Sequence, residues 1–337
     1  MPSIEQCKSI ITKVWGKTPE AFFILHGKPG CGKSTSIRQI TEDLGIPPER
    51  GMFVHINNHE VVDFTGVPSV EDGFTQFNPT KMFWDFREGT GPGVIVLEEL
   101  AQATTHHQTW AAGFVEERET PQFRLDPQVR VIATANRVED KSGAKQLLGH
   151  LNDRGWHLDA EDSLDDWCSW AMDNGVDPLG IAFLRLRPGL LNDFDPNRRS
   201  NPTQRSWTKL FLSAPDNLTD AEYLYLAEGK VGEGAAAEWV AARGMMRDMP
   251  SIDAVRLHPE TTEVPEDMAV RYAIATALSM TAEVDSFERD MLYIDRMPRE
   301  YQMVYVTDVV RLLPKLLQNK TFISWAIANK DIFMGSE

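Results

Sequence analysis

Cysteine is scarce in this chain. Cys7, Cys31 and Cys168 are its only thiols; they are scattered and odd in number, which suits a reducing compartment and gives neither a disulfide framework nor a metal-ligand spacing. Long apolar runs are missing as well: none approaches the roughly 20 residues that a membrane-spanning helix needs. The opening stretch MPSIEQCKSIITKVWGK has no apolar h-region, so no secretory signal is expected. These absences lead to the expectation of a cytoplasmic protein without membrane insertion. Basic charge is in deficit, with 34 Lys and Arg against 50 Asp and Glu and a net charge of −16. Nucleic-acid binders draw much of their affinity from neutralising phosphates. Nucleic acid is therefore not favoured as the main ligand, although lysines and arginines can still be concentrated locally. No internal repeat or low-complexity tract is present.

What the chain does have is 337 residues with 42% apolar content, enough for a sizeable core in one large domain or two to three modest ones. The first half alternates helical lengths with short apolar runs: Ala21–His26, Met52–Ile56, Val94–Leu97, Val129–Ala133 and a weaker one near Trp156–Leu158. Non-alternating runs of this kind predict parallel strands buried on both faces, hence an α/β core. The second half reads as helical, over Thr219–Glu228, Gly234–Met246, Pro265–Leu278, Tyr301–Leu317 and Thr321–Ile327, with Asn201–Pro202 and Asp248–Pro250 as punctuation. The expected division is an α/β core at 1–160, a helical lid at 161–248 and a C-terminal helical segment at 249–337.

Gly27-Lys28-Pro29-Gly30-Cys31-Gly32-Lys33-Ser34-Thr35 fits G-x-x-x-x-G-K-[ST] and lies between the strand AFFILH and the helix STSIRQITEDL. The glycines let backbone N–H groups close around phosphates, and the helix start adds its positive dipole end. Lys33 is expected to reach the β- and γ-phosphates of ATP and the Ser34 hydroxyl to ligate Mg²⁺. The run Val94–Leu97 ends in Glu98-Glu99. At the C-terminal edge of a parallel sheet, Glu98 is placed to hold Mg²⁺ through water and Glu99 to polarise the attacking water.

Val129–Asn136 is a further apolar strand that ends in a polar residue, and Asn136 is expected at the attacking water or the γ-phosphate. Arg154, just before the last strand, is the candidate finger for a neighbouring subunit's site, and Arg205, at the start of a lid helix, for contact with the nucleotide in cis. Other patterns are set aside. His55-x-x-x-His59-Glu60 straddles a strand end and a loop with no third ligand. His106-His107 reads as a surface pair at a helix start, Cys31 as a small loop residue, and Trp167, Trp170, Trp207 and Trp239 as packing of the lid.

Taken together, these motifs resemble the MoxR family of AAA+ ATPases over nearly the whole chain. The resemblance extends to Asp63–Pro68 with Gly73–Pro79, Glu98–Ala103, Asn136–Asp140, Asp165–Trp167, Gly229–Glu238 and Phe322–Ala326. It implies a P-loop core sheet in the order 5-1-4-3-2, a helical lid, a hexameric ring, and chaperone-like action on a protein client, often with a partner carrying a von Willebrand A domain. It also places an insert at about 63–87, whose Phe74, Phe77, Met82 and Phe83 either face a central pore or pack the insert itself, and a second hairpin at Thr120–Pro127. The chain departs from the family pattern at three positions: Glu98 stands where aspartate is usual, Gly155 where an aromatic follows the arginine, and Gln204 where a proline precedes Arg205.

The expected function is a Mg-dependent ATPase ring that remodels a protein partner. Two alternatives stay open: a nucleic-acid motor like the McrB enzymes, supported by Lys81, Arg87 and Arg124 near the insert, and a nucleotide-gated scaffold with low turnover.

Overall fold

The structure, a computed structural model, describes residues 1–215, 217–247 and 249–330. The chain folds as two compact units. The first takes in residues 1–163 with 194–199 and 203–205. The second takes in 164–193, 200–202 and the described residues from 206 on.

In the first unit the elements run α1 (Ile4–Trp15), β1 (Phe23–His26), α2 (Lys33–Asp43), β2 (Gly51–His55), α3 (Val61–Thr65), β3 (Val67–Glu71), β4 (Phe74–Asn78), α4 (Lys81–Trp84), β5 (Gly93–Glu98), α5 (Thr105–Glu117), β6 (Val129–Ala135), α6 (Gly149–Asn152) and β7 (Trp156–Asp159). Five strands form one parallel sheet, β2-β5-β6-β1-β7. Counting only this sheet's strands in chain order, it reads 5-1-4-3-2 from the β7 edge, the order implied by the resemblance.

All six residues of β5 are buried, and period-2 geometry divides them between the two faces. Val94 and Val96 pack with Cys7, Ile11 and Trp15 of α1 and with Ile37 and Ile40 of α2. Ile95 and Leu97 pack with Ala111, Phe114 and Val115 of α5. An apolar layer on both sides is why the strand carries no alternation in sequence. Ser3 opens α1 with a reciprocal capping box to Gln6.

The insert is a β3–β4 hairpin closed by Asp72-Gly73, both at positive φ, which suits a two-residue hairpin turn. Phe74 and Phe77 are exposed (73% and 48%). Met82 and Phe83 correct the pore expectation. Phe83 is fully buried, with its ring centroid 5.1 Å from Phe114 and 5.9 Å from Trp110, and Met82 packs against the same core. Helix α4 turns that pair inward. The region 120–127 closes through isolated bridges, Glu119 to Arg124 and Arg87 to Leu125, with no regular strand.

The second unit is helical: α7 (Leu164–Asp173), α8 (Pro178–Leu186), most of α9 (Gln204–Ser213), α10 (Asp220–Val231), α11 (Glu233–Met246), α12 (Ile252–Leu257), α13 (Met268–Met280), α14 (Phe287–Ile294), α15 (Arg299–Leu312) and α16 (Lys320–Ala328). It holds two apolar clusters. The first is built around Trp167, Trp207 and Trp239, with Trp170 half-buried at its edge. The second gathers Phe287, Tyr293, Tyr301 and Tyr305. Helix α13 serves both: Ala269 and Ala273 face the first, while Val270, Ile274 and Leu278 face the second. The sequence reading divides this region near residue 248; Asp248 lies outside the described residues. Among the described residues no helix is long and apolar enough to cross a membrane.

Candidate functional site

The phosphate-loop motif occupies the turn from β1 to α2. Gly30 (φ +77°) and Gly32 (φ +95°) hold left-handed conformations that side chains rarely adopt. A Cβ on Gly30 would also lie 2.9 Å from Thr203 Oγ1. Gly32 caps α2 without a side chain, so the helix's first N–H groups remain available to an anion. Cys31 is buried beside the loop, and burial pushes its thiol pKa up. That agrees with a packing role.

Lys33 is buried and donates from Nζ to Gly27 O (2.7 Å), Lys28 O (2.9 Å) and Asn136 Oδ1 (2.9 Å). Its pKa is lowered, first by burial, with the positive charge of Arg205 acting in the same direction. The Cys31 Sγ lies 3.9 Å away as a fourth, weaker acceptor, and the three oxygens are neutral. A desolvated cation with no carboxylate among its hydrogen-bond partners favours an incoming anion, and the loop around it presents backbone N–H groups. Asn136 commits its side-chain oxygen to the ammonium, which leaves its amide nitrogen as the donor end. A phosphate oxygen or an attacking water needs that polarity.

Ser34 and Glu98 also meet: the Ser34 hydroxyl donates to Glu98 Oε1. Both groups are hard oxygen donors at the edge of the loop, the ligand chemistry that Mg²⁺ selects while keeping several waters and substrate phosphates. The donor set therefore fits the ion. Glu98 is buried, whereas Glu99 is exposed. Glu99 sits at φ +61°, with its N–H held by Thr134 Oγ1 at 3.2 Å. A non-glycine residue in the left-handed region costs on the order of 1–3 kcal/mol and persists only where its surroundings fix it. Here Thr134 of β6 does so, and the chain turns so that the second carboxylate stands in solvent beyond the strand end.

Sequence reasoning named Arg205 and Lys28 but missed Asp162 and the contact of His55 with Glu98. Arg205 N–H reaches Gly30 O at 3.3 Å. The neighbouring Gln204 donates to Asp162 Oδ1 at 3.0 Å, and Lys28 Nζ lies 3.7 Å from Asp162 Oδ2. Asp162 thus ties the loop to the segment that carries Arg205, and Gln204, the departure from proline, is the residue that makes the tie. His55 Nε2 lies 2.8 Å from Glu98 Oε2, and His59 Nδ1 lies 3.6 Å from Asp63 Oδ2. The two histidines of the set-aside pattern serve different partners. His107 corrects the surface-pair reading: it is buried, with Nδ1 2.9 Å from Thr104 Oγ1 and Nε2 3.0 Å from His59 O.

Arg154 is not brought to this group. Its guanidinium pairs with Glu116 at 3.0 Å and bonds His150 O. Gly155 after it has a local reason: a Cβ there would lie 2.6 Å from Ile24 Cδ1, where β7 packs beside β1.

Residues 23–151 match the family described as "ATPase family associated with various cellular activities (AAA)". That stretch is similar to an AAA ATPase domain. It contains the phosphate loop, both carboxylates and Asn136, so nucleotide binding belongs to this part of the chain. Two solved structures of NtrX from Brucella abortus are similar at 13% identity and a TM-score of 0.33. One covers 97% of this chain and 67% of its own; the other, in complex with ADP, covers 99% and 68%. Likeness at that level carries no argument about ligand or partner. No curated protein matches the chain.

Proposed function

We propose that this protein is an ATP-hydrolysing ring motor of the MoxR type that remodels a protein client. The reading rests on one observation above all: Lys33 Nζ, buried and bonded to three neutral oxygens and the Cys31 sulfur with no carboxylate among its partners, reaches Asn136 at the end of β6 while the adjacent Ser34 meets Glu98. This constellation suits a triphosphate with its metal. Mg²⁺ bound with ATP supplies charge neutralisation across the phosphates. Around it, Lys33 and the loop N–H groups bind, Ser34 and Glu98 hold the ion, Glu99 takes the proton of the attacking water, and Asn136 orients that water.

Arg154 serves the neighbouring subunit's site. Its pairing with Glu116 does not oppose this. A part-exposed ion pair is worth about 0–1 kcal/mol, whereas an arginine finger lowers the barrier by about 4–7 kcal/mol. Trp156, 57% exposed on the edge strand two residues later, offers apolar surface for the same subunit contact.

A protein client fits the insert better than nucleic acid. The hairpin exposes Val67, Val70, Phe74 and Phe77 beside Glu71 and Asp72. Of the nearby basic residues, Arg124 is paired with Glu119 at 3.1 Å and Arg87 lies over the Trp84 ring at 4.4 Å. A partner with a von Willebrand A domain belongs to the same proposal.

Phosphate release measured against protein concentration, with ATP and with GTP, tests the reading. The expected result is ATP hydrolysis whose specific rate climbs with concentration and which Glu99→Gln reduces by about 10²–10⁴-fold without loss of nucleotide binding. A specific rate independent of concentration would remove the ring. Assembly on ATP with no phosphate release would favour the scaffold.

A further inference from the structure

We propose that His55 is a positioning residue for the metal site: it anchors the Glu98 carboxylate so that a glutamate can work where the shorter aspartate is usual. The inference rests on the functional reading above and deepens it.

Strands β2 and β5 are parallel neighbours, with His55 and Glu98 as Cα partners in register. In-register residues of adjacent strands project to the same side of the sheet, so the imidazole and the carboxylate stand side by side. The Glu98 side chain is almost wholly buried, and each of its oxygens has one partner: Ser34 Oγ at Oε1 and His55 Nε2 at Oε2, the latter at 2.8 Å. A carboxylate only accepts, so the imidazole Nε2 carries the hydrogen.

The two anchors are not equivalent. On the functional reading above, Ser34 would ligate the ion, and its hydroxyl would then be a weaker anchor for the carboxylate. His55, bonded to the other oxygen, would be free to keep that bond with the ion in place. A glutamate has one methylene and one torsion more than an aspartate. Without His55 that extra torsion is free, and ordering the side chain is charged against metal binding. Groups that hydrogen-bond a metal ligand characteristically change affinity about 10–100-fold. The His55 side chain is itself about half exposed (55%), so truncating it leaves no cavity in the core.

The test is a Mg²⁺ titration of ADP binding, read with a fluorescent ADP analogue so that no turnover is needed. His55→Leu is expected to raise the Mg²⁺ midpoint about 10-fold while leaving ADP affinity without Mg²⁺ unchanged. His55→Gln, which keeps an N–H donor at similar reach, is expected to restore most of it. In a Glu98→Asp background the carboxylate is drawn back from His55, and adding His55→Leu is expected to shift the midpoint little. An unchanged midpoint in His55→Leu overturns the proposal. So does an equal loss of affinity with and without Mg²⁺, or a full shift persisting in the Glu98→Asp background. Failure of the unmodified protein to bind ADP at all would overturn the functional reading itself, and this inference with it.

Discussion

Lys33 Nζ donates to Asn136 Oδ1 at 2.9 Å, joining the first turn of α2 to the end of β6 across 103 residues of sequence. The contact fixes the polarity of Asn136 and sets its amide nitrogen beside the phosphate loop. It also means the lysine, buried as it is, has a neutral partner where a carboxylate would have cancelled its charge.

Substitutions at the two ends of this contact should therefore separate. Lys33→Met removes the cation and is expected to weaken nucleotide binding by about 10–100-fold, the worth of a charged hydrogen bond. Asn136→Asp keeps the shape but pairs the ammonium with a carboxylate. Binding should fall as in Lys33→Met. Asn136→Ala should retain most binding and lose about 10²–10³-fold in hydrolysis, the usual cost of one oriented donor. Equilibrium binding and single-turnover hydrolysis distinguish the three.

Gly155→Ala tests the packing account of β7. A Cβ at 2.6 Å from Ile24 Cδ1 forces a buried isoleucine of β1 to move. Overpacking of this kind costs about 1–3 kcal/mol. Urea unfolding should show that loss, and Ile24→Val in the same chain should recover part of it.

Asp126 gives a pH dependence. Burial alone would raise its carboxyl pKa, but N–H groups of Gln128, Gly91 and Gly89 outweigh that and hold it below 3.8. A carboxylate with a lowered folded pKa contributes stability that is present above its unfolded pKa and lost as pH falls through the folded one. Acid unfolding of the wild type should therefore steepen below about pH 4, and Asp126→Asn should be destabilised at pH 7 with a flatter acid limb. Equal acid limbs would contradict this.

The core of this site was legible in sequence because its signals are local. The phosphate loop is contiguous, and the two-face burial of β5 forces an uninterrupted apolar run before Glu98-Glu99. His55 was not legible as the partner of Glu98, because that contact comes from strand register across a crossover. The tie through Asp162 and Gln204 depends on how a distant segment returns to the loop. Met82 and Phe83 look like Phe74 and Phe77 in composition, and only the change from hairpin to helix turns one pair inward. Likewise α13 reads as one apolar helix; that its two faces serve two clusters depends on tertiary packing.

The most direct test of the shared-site motor is complementation. Glu99→Gln and Arg154→Ala proteins, each inactive alone, are mixed and phosphate release is followed. Subunits lacking the base still carry Arg154, and subunits lacking Arg154 still carry Glu99, so mixed rings contain complete sites. The account predicts partial recovery of ATP hydrolysis that depends on total concentration. No recovery on mixing, or an Arg154→Ala protein as active as wild type, would contradict it.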